Sequence, residues 1–120
     1  MSLFHADAIV GACADPGLAA TWWEKAFDCR RVPVPGSWDD SADCVALQFP
    51  GDDEPAICLS PKARDQNSYP VPVIFTGNIK KAYQGLLERG VVAGPIQGDD
   101  PKFFELRDGE GNTVEVSEEP

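Results

Sequence analysis

Residues 57–60, Ile-Cys-Leu-Ser, fall on residues 114–117, Val-Glu-Val-Ser, at a shift of 57, and the same shift lays Gln48 on Glu105. Upstream the match continues at a shift of 63, which puts Asp15 on Asn78 and Ala8 on Val71. Self-similarity of this kind constrains a 120-residue chain more than any other feature, because it predicts two copies of one small module sharing a single core. Short apolar matches also arise by chance, so the elements themselves have to repeat.

They do. Residues 4–10 read as a strand rich in apolar and aromatic side chains. Asp15 then accepts from first-turn amides and Pro16 suits the first helical position, ahead of an apolar stripe formed by Leu18, Ala19, Trp22, Trp23, Ala26 and Phe27. Short strands follow over 30–34, 44–49 and 56–60, separated by Pro-Gly punctuation. The second half opens with a strand over 71–76. Asn78 caps a helix whose Ile79, Ala82, Tyr83, Leu86 and Leu87 form one face, and Gly90 ends it. Strands over 91–96, 102–107 and 113–117 complete it, the last two joined by the turn 108–112. The expectation is an α+β single domain over 1–120, with one βαβββ module over about 3–62 and another over about 68–118.

Composition narrows the partners. Twenty acidic against ten basic residues give a net charge of −10, which repels a phosphate backbone, so nucleic acid is not an expected partner. The acids gather in loop-like stretches, where solubility is the simpler explanation and attraction of a cationic ligand the sharper one. No apolar run approaches the roughly 20 residues of a bilayer span, and no membrane partner is expected. Cys13, Cys29, Cys44 and Cys58 lack CxxC spacing and read as reduced thiols of a cytoplasmic protein.

The stretch Phe104-Glu105-Leu106-Arg107-Asp108-Gly109-Glu110-Gly111-Asn112-Thr113-Val114-Glu115-Val116 resembles the closing hairpin of the vicinal oxygen chelate superfamily. That superfamily includes glyoxalase I, extradiol dioxygenases, bleomycin-resistance proteins and fosfomycin-resistance enzymes. Its pattern is an Asp-Pro-Asp-Gly-Asn turn followed by an alternating strand with a central Glu; Gly109 and Glu110 depart from it. Trp22-Trp23-Glu24-Lys25-Ala26-Phe27 is similar to the family's first helix, with Asp28 where Gly is usual. The resemblance implies a curved mixed sheet forming an open cup, helices on its outer face, ligands inside and two chains commonly paired.

In metal-dependent members the resemblance implies four cup-facing ligands, carried over here to Ala8, Cys58, Val71 and Glu115. Ala8 and Val71 have no donor atom. A remaining thiolate and carboxylate bind a divalent metal poorly, so no cofactor is expected, a divalent metal being the alternative. His5, the only histidine, lies three residues before Ala8 and so on the opposite face of a regular strand, unless a bulge turns it inward. Cys58 reads first as a small packed hydrophobe and second as a nucleophile, with no other histidine to serve as its base.

Alternation turns Thr113, Glu115 and Ser117 toward the cup and Val114 and Val116 toward the helices. A turn closing symmetrically around Glu110 sets Glu105 opposite Glu115, with Arg107 diagonally placed. Two carboxylates sharing a wall can share a proton, hold a cation or act as acid and base; the plain structural reading is a Glu115–Arg107 ion pair with Glu105 in water. Gln48 should face inward beside Ala46 and Cys58, with Val10, Val73 and Phe75 as apolar lining. Trp38, beside Asp39 and Asp40, either grips a flat or cationic molecule or packs at the loop edge.

Three readings follow. In the first the chain is a metal-free cup, completed by a second copy, that binds and sequesters a small amphipathic or cationic molecule; its ligand-binding residues are Glu115, Glu105, Arg107, Gln48, Cys58 and Trp38. The second is a lyase, isomerase or dioxygenase with an altered site, using Glu115, Glu105 or Cys58. The third is a structural or regulatory domain whose cup is filled by side chains.

Overall fold

Two four-stranded sheets and two helices make up the computed structural model, which describes residues 4–6, 9–35, 44–61 and 71–119. In chain order the elements are β1 (Phe4–His5), β2 (Ile9–Cys13), α1 (Pro16–Phe27), β3 (Arg30–Val32), β4 (Val45–Gln48) and β5 (Ile57–Pro61). The rest are β6 (Val73–Thr76), α2 (Ile79–Glu88), β7 (Phe103–Arg107) and β8 (Thr113–Glu118). One sheet runs β2-β5-β4-β3 and the other β1-β6-β8-β7. In each, the strand that precedes the helix pairs in parallel with the last strand of its half, β2 with β5 and β6 with β8. The fold is α+β with mixed sheets, as expected.

Both helices begin for the reason the sequence suggests. Asp15 accepts from the Leu18 amide at 3.2 Å and Asn78 from the Lys81 amide at 3.1 Å, each satisfying a first-turn donor that has no intrahelical partner. At the other end of α1, Asp28 takes a left-handed backbone conformation, φ 58°. Arg89, just past α2, holds that end: its guanidinium donates to the Ala26 carbonyl and to the Asp28 carboxylate, both at 2.7 Å. The clamp satisfies an orphan carbonyl of α1 and ties the two helices' C-terminal ends together.

The core is continuous across both halves. Trp23, Phe27, Phe49, Leu47, Ile57 and Leu59 from the first half pack into one cluster with Ile74, Leu86, Phe104, Leu106, Val114 and Val116 from the second. Phe27 sits at its centre, in ring contact with Phe4, Trp22, Trp23 and Phe49.

The strands depart from expectation in two places. The strand expected over 4–10 is divided: β1 pairs antiparallel with β6 in the second sheet, while β2 starts at Ile9, runs on to Cys13 and joins the first. Phe4 explains the diversion, since it is buried with its ring edge-on to Phe27 at 4.9 Å. The strand expected over 91–96 survives only as isolated bridges, Ala93 to Leu106 and Gln97 to Phe103. Pro95 lies between them and has no N–H to donate, so the ladder along β7 is interrupted there. The second half is therefore not a full βαβββ copy of the first.

Three side chains also sit elsewhere than expected. Leu18 and Leu87 belong to the helical stripes by spacing yet are 69% and 45% exposed, and Val71, expected in a strand, lies ahead of β6 and is 48% exposed.

Candidate functional site

The residues that point away from the helices define the site's walls. On β4 and β5, Leu47, Ile57 and Leu59 enter the core, so alternation turns Ala46, Gln48, Cys58 and Ser60 to the opposite face. On β7 and β8, Phe104, Leu106, Val114 and Val116 enter the core. Glu105, Arg107, Thr113, Glu115 and Ser117 take the other side, joined by Val73 and Phe75 of β6.

Register places Glu105 directly across from Glu115, and Glu115 beside Val73. Glu105 is exposed and Glu115 half-buried, so two carboxylates stand side by side on one strand pair. Arg107 does not neutralise them. It lies opposite Thr113 and donates to the Thr113 hydroxyl and to the Gly111 carbonyl at 3.3 Å, within its own hairpin turn. The expected Glu115–Arg107 ion pair is absent among the described residues.

The turn itself is built by Asp108. Its carboxylate accepts from the amides of Glu110 and Asn112, both at 2.9 Å, and Gly111 supplies the positive φ of 82°. Glu110 then reaches α1, accepting from the amides of Ala14 at 2.7 Å and Asp15 at 3.1 Å. The sequence marks Glu110 only as a departure from the family's turn, and its contact with a segment almost a hundred residues upstream leaves no local signal.

In the first sheet, Gln48 is buried and already engaged, donating from Nε2 to the Asp52 carbonyl at 2.6 Å. Through that bond it closes its own hairpin. Cys58 is buried beside Ala46, with burial the chief cause of a thiol pKa raised above its ordinary value. A thiol held protonated is a poor nucleophile. His5 pairs through Nδ1 with Glu119 at 2.9 Å and stacks on Phe75. Trp23 belongs to the core and Trp22 packs against it. Ala8 and Trp38 lie outside the described residues, and of Val10 only the backbone, paired with Cys58, is described.

The donor set does not fit the family's divalent metal. Val71 offers no donor atom, nor does alanine at position 8, and among the described residues no three His, Cys, Asp or Glu side chains come together to hold an ion. Among them, too, no helix is long and apolar enough to cross a membrane.

No family model matches the chain, and no curated protein does. Solved structures do. An integron cassette protein from the mobile metagenome of V. cholerae superposes with a TM-score of 0.64 at 24% identity, over 100% of this chain and 98% of that one. TnmS3, an antibiotic-binding protein from a Streptomyces species, gives 0.73 at 15% identity over 100% and 99%. A member of the glyoxalase/bleomycin resistance protein/dioxygenase superfamily from Sphaerobacter thermophilus gives 0.66 at 18% identity over 96% and 97%.

Proposed function

We propose that this chain, which has the glyoxalase/bleomycin-resistance/dioxygenase fold, is a binder that sequesters a small amphipathic cation without a divalent metal. The observation that carries the reading is the opposition of Glu105 and Glu115, unneutralised by Arg107, on the sheet face turned away from the core. Paired carboxylates beside Val73 and Phe75 offer a cationic head an ion pair and its apolar body a surface. The similarity in fold to TnmS3 supports a binding role. A second copy of the chain completes the cup, because each sheet turns only one such face outward. Cytoplasmic residence accompanies this reading, with the cysteines kept as thiols.

A thermal-shift screen tests it, with bleomycin, ethidium and crystal violet as cationic probes beside neutral and anionic dyes. A selective ligand raises stability by mass action, so saturable stabilisation by a cationic probe is expected, and its loss in the Glu105→Gln/Glu115→Gln double variant. Stabilisation by anionic dyes alone, or a cationic response untouched by the double variant, would contradict the reading.

A further inference from the structure

Three of the four cysteines surround one serine. The Cys44 Sγ lies 3.4 Å from the Ser60 Oγ and the Cys58 Sγ 4.0 Å from the same atom, while the Cys13 Sγ donates to the Ser60 carbonyl at 3.4 Å from the core side of the sheet. The register explains the cluster. Val45 pairs with Leu59 and Ala46 with Cys58, so Cys44, one step further, faces Ser60, and Cys58 and Ser60 share a face two residues apart. Cys44 and Cys58 are thus diagonal neighbours on one side of the sheet, both turned to one hydroxyl.

The geometry points to a two-thiolate site for a soft monovalent cation of the copper(I) class, held between Cys44 and Cys58 with the Ser60 hydroxyl beside it. Diagonal residues on paired strands stand about 7–8 Å apart. A disulfide accepts Cα separations only up to about 6.8 Å, so direct oxidation of the pair is disfavoured. Two metal–sulfur bonds of about 2.3 Å each in line hold the sulfurs about 4.6 Å apart, a span that suits diagonal side chains. Thiolate sulfur selects copper(I), and a closed-shell monovalent ion is content with two sulfurs, whereas zinc requires four ligands. On binding, both thiols give their protons to water and two metal–sulfur bonds form: two RSH and one Cu⁺ yield Cu(SR)₂⁻ and two H⁺, with no change of oxidation state. Cys44 is half-buried, which gives the ion a way in, and Cys58 is buried, which shields the complex from competing water. The site involves neither Glu105 nor Glu115, so it does not depend on the small-molecule reading.

The test is anaerobic titration with copper(I) buffered by bicinchoninate, followed by thiol alkylation and peptide mapping of the wild-type chain. One equivalent of copper(I) is expected, protecting Cys44 and Cys58 together and leaving alkylation of Cys13 and Cys29 unchanged. Cys44→Ser and Cys58→Ser should each lose the bound equivalent, whereas Cys29→Ser and Glu105→Gln/Glu115→Gln retain it. Protection of another pair, no protection at all, or equal protection by zinc(II) overturns the assignment. Mapping the wild type decides the matter even where a cysteine variant fails to fold.

Discussion

Glu110 shows how one side chain joins distant parts of this chain. Its carboxylate takes two consecutive amides just ahead of α1, so the β7–β8 turn and the start of the first helix are held together by charge-assisted hydrogen bonds. Glu110→Ala should cost on the order of 1–2 kcal/mol in urea unfolding, and Glu110→Gln about half of that, because the amide has one acceptor oxygen and no charge. The buried thiols report on pH. Burial, with smaller contributions from nearby carboxylates, pushes Cys13 and Cys29 up from 9.0 to about 12. In the unfolded chain these thiols ionise near 9.0, so the unfolded state binds fewer protons above that pH. Their contribution is complete below pH 9.0 and lost as pH rises toward about 12. Melting temperature should therefore fall between these limits, less steeply in Cys29→Ala than in wild type; equal slopes would assign the alkaline loss to other groups.

Among the elements, the helices and the closing hairpin were legible because their determinants are local. Asp15, Pro16 and Asn78 announce helix starts, and the Asp108 turn fixes a register that sets Glu105 against Glu115. What escaped the sequence is set by contacts across the fold. The diversion of β1 depends on Phe4 meeting Phe27, and Arg107 turns to Thr113 because the hairpin geometry brings that hydroxyl closer than a diagonal carboxylate. Gln48 illustrates the same limit: alternation assigns its face, but only the turn at Asp52 decides where its amide goes. Gly98 is a further element that tertiary space dictates. It has φ +78°, and a Cβ there would meet the Pro101 carbonyl oxygen at 2.8 Å. Gly98→Ala should destabilise by more than 1 kcal/mol, with equilibrium unfolding as the check, while Gly85→Ala, with open space around it, should be neutral or stabilising.

For the whole molecule, buried side chains of both sheets pack into one continuous cluster. The symmetry is imperfect where Pro95 interrupts the ladder and where β1 crosses to the second sheet. A net charge of −10 on so small a chain implies strong self-repulsion. Added salt should raise the melting temperature and weaken cation binding together, since both depend on screened carboxylates. If the proposed function holds with a second copy completing the site, light scattering should give a mass of two chains.

The proposed function requires that the sheet face carrying the opposed Glu105 and Glu115 bind its ligand without a divalent ion. Elemental analysis of protein purified from rich medium without chelators tests this directly. It should find no stoichiometric nickel, zinc, iron or manganese. About one equivalent of any of these, retained through purification and lost in Glu115→Ala, would contradict it.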